Sequence, residues 1–144
     1  MTEAESNLII KGVKTTTNKI LEYTQNAQVD SFLGYYDHGP AFLAFSGDGK
    51  MRNYEEFKKL TTDYYTSVEK QDVTTIREKF NAMDVNLVIF GWTGNIMAHF
   101  KNGATMKMNG YSVTMVLKKI GSQWKVIHSH ESSPPPEIMK QTLQ

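Results

Sequence analysis

The chain has 144 residues, 40% hydrophobic and 22% charged, with 16 basic side chains against 15 acidic ones and a formal net charge of +1. That length suits a single domain with a real core, and the near-neutral balance gives no electrostatic case for nucleic acid, an anionic membrane surface or a strongly acidic partner. The absence of cysteine excludes disulfides, thiolate metal sites and cysteine nucleophiles, and it fits a reducing compartment.

The chain opens on MTEAESN, polar and unlike a secretory signal, and no apolar run approaches the ~20 residues that cross a bilayer. A soluble cytoplasmic protein is expected. Ile9, Val13, Thr16, Ile20 and Tyr23 then follow 4-3-4-3 spacing, which predicts an amphipathic helix from about Glu3 to Gln25. Asn26 suits the cap of a second, shorter helix, with Val29, Phe32, Leu33 and Tyr36 on one stripe. Asp37-His38-Gly39-Pro40 ends it, and Ala41 to Phe45 reads as a short buried strand. After the turn at Ser46-Gly47-Asp48-Gly49, Asn53 and Glu56 form a capping box for a third helix carrying Phe57, Leu60, Tyr64 and Val68.

From Asp72 the period changes to two. Ile76, Glu78, Phe80 and Ala82 share one face of a strand, and Val85 to Phe100 forms the next. Asn102-Gly103 predicts a type I′ hairpin turn into a long strand from about Ala104 to Ile120. A second turn at Gly121-Ser122-Gln123 leads into the last strand. There Trp124, Val126, His128 and His130 alternate with Lys125, Ile127, Ser129 and Glu131. Both faces carry large apolar groups, so both need covering, by helices or by another subunit. The prolines at 134 to 136 stop the strand, and Glu137 to Gln144 reads as a helical turn or a frayed tail. Helices followed by a meander of long strands give the α+β class.

Thr114, Leu117 and the spacing of Trp124, Ile127, His128, His130 and Ser132 resemble the terminal hairpin of the nuclear transport factor 2-like superfamily. The likeness is to its SnoaL-like, ketosteroid isomerase-like branch and to the association domain of calcium/calmodulin-dependent kinase II. The resemblance implies a cone: three N-terminal helices packed on a curved antiparallel sheet, with a cavity inside. It spans roughly Leu8 to Ser132, which makes residues 1–132 one domain and 133–144 a proline-rich tail. The superfamily hosts unrelated activities, so the fold alone does not supply a reaction.

Matched to the association domain, the arginines of its carboxylate-binding pocket fall on Glu131, Asn95 and Met115, so a small carboxylate is not the expected ligand. No motif matches the catalytic site of ketosteroid isomerase, and no catalytic residue is carried over from it. His128 and His130 lie on one strand face about 7 Å apart, which would suit a metal if a third ligand converged. Only His38 and His99 remain, at spacings that force no convergence, so neither metal nor cofactor is expected. Buried polar partners are the plainer role for the two imidazoles. Glu131 faces away from them on a regular strand, either as an edge-strand acid in water or, if partly buried, as a base with a raised pKa.

The candidate ligand-pocket residues are therefore Tyr36, Trp92, Asn95, Met115, His128, His130 and Glu131, with the methionines as adaptable lining. The function expected is binding of a small, largely apolar, uncharged or weakly polar molecule in the cone. Acid–base chemistry such as isomerisation, dehydration or cyclisation would accompany it. The rival is an association module without catalysis, and a homodimer through the outer sheet face is expected in either case.

Overall fold

The computed structural model describes residues 1–139. Two capping boxes open the long helices. Thr2 and Glu5 satisfy each other's backbone N–H at the start of α1 (Glu3–Gln25), and Asn53 and Glu56 do so for α3 (Tyr54–Ser67). α1 buries Val13, Thr16, Thr17 and Ile20, in keeping with its apolar spacing. The buried stripe of α3 is Tyr54, Phe57, Thr61 and Tyr65, while Val68 already begins a strand. No helix among the described residues is long and apolar enough to cross a membrane.

Between them, α2 (Val29–Leu33) is shorter than its stripe suggests. Asn26 closes α1 rather than opening α2, its N–H donating to the Glu22 carbonyl at 3.1 Å. Tyr36 leaves helical geometry because its neighbours pair with a strand. Val126 N–H donates to the Tyr35 carbonyl at 2.8 Å, and Asp37 N–H to the Val126 carbonyl at 2.9 Å.

The strands are β1 (Leu43–Phe45), β2 (Met51–Arg52), β3 (Val68–Asp84), β4 (Leu87–Phe100), β5 (Thr105–Ile120), β6 (Gln123–Ser132) and β7 (Glu137–Met139). They form one sheet in the order β2-β1-β6-β5-β4-β3. Its pairings are antiparallel except β1 on β6, which run parallel, so the sheet is mixed. β7 pairs with β5 at Thr105 to Lys107, in place of the helical turn or frayed end suggested by the sequence; residues 140–144 of that tail lie outside the described residues. The β4–β5 hairpin forms at Asn102-Gly103, but only Gly103 has positive φ, at 86°, so its turn is not type I′.

Bulges decide what faces inward. An extra residue on one strand bends the sheet and flips the alternation beyond it. Ile76 is skipped between the pairs Thr75–Gly94 and Arg77–Thr93, and it is 63% exposed rather than aligned with Glu78, Phe80 and Ala82. Gly110 is skipped between Gly94–Tyr111 and Asn95–Asn109, with φ +81° that glycine tolerates. Ile127 is skipped between Leu117–Val126 and Val116–His128. Trp124 and Val126 therefore share the buried face with Ser129, and His128 and His130 do not, contrary to the regular alternation.

The core lies between the helices and the concave face. Trp124, 8% exposed, packs there, its Nε1 only 3.5 Å from where a Cβ on Gly12 of α1 would stand. Trp124→Ala should cost about 3–5 kcal/mol, the range for emptying a buried aromatic site. Chemical denaturation measures this, and an unchanged midpoint would mean that the indole does not pack against α1.

Candidate functional site

Between α1, α3 and the concave face lies a cavity of about 410 Å³, within the usual range for small-molecule sites. α1 contributes Thr17, Ile20 and Thr24 to its wall, and α3 contributes Phe57, Thr61, Tyr64 and Tyr65. The Gly110 bulge lets β5 direct Met106 and Met108 inward on one side of it and Tyr111, Val113 and Met115 on the other. Ser46, Asp48 and Ser133 complete the wall from loops flanking β1 and β6.

Trp92 enters the wall through two local features. Its indole N–H donates to Thr75 Oγ1 at 2.9 Å, and its ring lies over Gly94. A Cβ at Gly94 would stand 2.6 Å from that ring and 2.2 Å from the Thr74 carbonyl, so this close approach requires glycine.

Glu131 also lines the cavity, because the Ile127 bulge puts it on the inner face with Ser129. It is not the water-facing edge acid that its sequence position suggests. Burial raises its pKa above the ordinary carboxylate value, while a hydrogen bond from Tyr111 and the neighbouring His130 pull the other way. Among the residues lining the cavity, Asp48, Glu78 and Glu131 carry carboxylates and none carries a basic group. Asp48 is held by Arg52 at 2.5 Å, and Glu78 lies 3.7 Å from Lys14. Glu131 makes no ion pair among the described residues.

Four phenols feel the Glu131 charge: Tyr36, Tyr64, Tyr65 and Tyr111. Burial raises each first and the carboxylate adds to it, taking Tyr64 to about 12, so all stay neutral in ordinary buffers. Their hydroxyls are not equivalent. Tyr64 donates to Gln71 Oε1 at 2.8 Å, and Gln71 Nε2 donates to the Thr24 carbonyl at 2.8 Å. Tyr65 donates to Thr24 Oγ1 at 3.3 Å, and Tyr111 lies beside Glu131. The Tyr36 hydroxyl is buried with no partner, although its ring is fixed among Phe32, Phe42 and Phe57 at centroid distances of 4.8, 6.0 and 5.0 Å.

Of the residues singled out in the sequence, the structure brings Tyr36, Trp92, Met115 and Glu131 together in the wall. Asn95, His128 and His130 do not line this cavity. Asn95 alternates with the inward Gly94 and Ile96, and its Oδ1 accepts the Gly110 N–H at 3.0 Å. His128 and His130 face outward against Phe45, with ring centroids 6.4 and 5.1 Å away. Sequence reasoning missed Gln71, Tyr64, Tyr65 and Tyr111 as a polar set. The one available signal is Gln71, an uncharged polar residue inside a run of exposed charges at the start of β3.

This architecture is the nuclear transport factor 2-like fold, helices on a curved mixed sheet that encloses a cavity. The SnoaL-like domain family matches residues 13–136, and the chain belongs to it. Similar solved structures include a nuclear transport factor 2-like superfamily protein from Salmonella enterica serovar Typhimurium. It is 16% identical, with TM-score 0.76, covering 89% of this chain and 92% of that one. A type 2 hexachlorocyclohexane dehydrochlorinase is 6% identical, with TM-score 0.72 and 95% of each chain covered. A protein from Xanthomonas campestris named for the calcium/calmodulin-dependent kinase II association domain is 15% identical, with TM-score 0.70, covering 85% of this chain and 86% of that one. At these identities the likeness carries the fold alone. No curated protein matches the sequence significantly.

The raised pKa of Glu131 gives stability a pH dependence of definite sign. The folded protein keeps this proton to higher pH than the unfolded chain does. The penalty is therefore absent below the ordinary carboxylate pKa and grows as pH rises through the raised one. Glu131→Gln should melt close to the wild type near pH 4 and above it at pH 7.5. Melting curves that keep a constant offset across that range would put the carboxylate in water.

Proposed function

We propose that the cavity binds a small, largely apolar organic molecule rather than an anion. It supports acid–base chemistry of the isomerase, dehydratase or cyclase kind, with Glu131 as proton acceptor and Tyr36 as hydrogen-bond donor. The observation that carries this reading is the single unpaired, partly desolvated carboxylate in an aromatic and methionine-lined wall without a basic side chain. Desolvation moves a carboxylate toward the pKa range of a useful general base. A neutral phenol with no partner is a ready donor to oxygen on a substrate. Trp92 and Met115 supply apolar contact. The dehydrochlorinase among the similar structures is an instance of this fold hosting elimination.

Thermal-shift screening tests the ligand class. Aromatic ketones and related neutral aromatics should raise the melting temperature at millimolar concentration, and simple carboxylates should not. Stabilisation by carboxylates alone would overturn the assignment, and a flat response to both sets would favour the association module. If the reaction is of the acid–base kind, Glu131→Gln should lower turnover at least ~100-fold, the usual scale for a lost general base. Tyr36→Phe should lower it less while leaving the fold intact.

The outer sheet face is the proposed contact for a second copy. Ile89, Val116, His128 and Leu43 are register partners in one row across four strands, none of them buried. Three of the four are apolar, and apolar groups clustered on one face suit a protein contact. Sedimentation at micromolar concentration should give at least twice the monomer mass, whereas a single species of monomer mass would defeat the idea.

A further inference from the structure

The charges around the cavity do not balance. Asp48 has Arg52 and Glu78 has Lys14, but Glu131 makes no ion pair among the described residues, and no lysine, arginine or histidine lines the space it faces. His130 follows the outward alternation and stacks on Phe45. A carboxylate removed from water without a counter-charge is unfavourable, and the deficit is relieved when an opposite charge enters beside it. Aromatic rings wall the same space, among them Tyr36, Tyr65, Phe90, Trp92 and Tyr111. The face of such a ring attracts a cation, more strongly when water is excluded.

We propose that the ligand of this cavity carries a protonated amine on an apolar body, with the ammonium on Glu131 and the aromatic wall around the charge. This assignment rests on the cavity being the ligand site, and it names the polar end of that ligand. A primary ammonium brings a full positive charge and three donors to the carboxylate. An alcohol of the same skeleton offers one donor and no charge, and an acid brings a second negative charge beside the first. An ammonium N–H donates a hydrogen bond to the Glu131 carboxylate, and both groups keep their charge.

Calorimetric titration of the full chain with tryptamine, tryptophol and indole-3-acetate tests this, since the three share an indole and differ in the charge of the head. Tryptamine should bind about tenfold tighter than tryptophol or better, a difference within reach of one well-placed charged contact, and indole-3-acetate should bind weakest. Tryptophol binding as tightly as tryptamine would overturn the amine assignment and leave the cavity reading intact. No binding by any of the three would defeat both. In Glu131→Gln the preference for tryptamine should disappear. A preference that survives in a folded Glu131→Gln protein would move the charge recognition elsewhere and overturn the assignment. The wild-type comparison stands even if that variant does not fold.

Discussion

The inward set of side chains in this molecule depends on where the sheet breaks its own alternation. A strand without a bulge commits every second residue to one face for its whole length. β5 and β6 each change commitment once, at Gly110 and opposite Val116, and both changes serve the cavity. On β5 the change lets two methionines near one end and a tyrosine, a valine and a methionine further along point the same way. On β6 it turns Glu131 inward while the two histidines stay outside. The Asn95 side chain takes up the Gly110 N–H that the bulge displaces, so the irregularity is fastened rather than tolerated.

Electrostatics then follows from placement. The four phenols and the carboxylate form two groups that share a wall but not a job. Gln71 and Thr24 hold Tyr64 and Tyr65, tying α1 and α3 to β3 through side-chain bonds. Tyr111 is left to the carboxylate, and the Tyr36 hydroxyl is buried without a partner. Tyr36 is nevertheless rigid, since its backbone neighbours pair with Val126 of the strand that carries Glu131. Tyr36 and Glu131 are thus both referred to β6.

Much of this was legible in the sequence. The α1 stripe, the Asn53–Glu56 capping box and the terminal hairpin express local rules and stand in the structure, and the period-two runs form strands whose faces hold only up to their bulges. What was not legible has a common origin. A bulge is a choice between pairing partners, and no residue in Val126-Ile127-His128 announces which of them is skipped. Assigning faces by counting therefore placed Trp124 with His130 and left Glu131 open between an edge acid in water and a partly buried base. Gly110 did carry a hint, being a glycine within a strand, but Gly91 and Gly94 carry the same hint and are not skipped. The parallel seating of β1 on β6 is a long-range pairing with no local signature, and so is β7 on β5.

β3 closes one side of the sheet with seventeen residues and no neighbour beyond it. Long free edges invite a strand from another molecule. This one is interrupted at Glu69, Ile76 and Met83, each passed over in the pairing with β4, and it carries Lys70, Arg77 and Lys79 between them. No straight stretch of more than about six residues is left to template an incoming chain, and charges of both signs repeat along it. Growth of the sheet by edge addition, the usual route from a free strand to a fibre, is disfavoured by the same irregularities that curve the sheet.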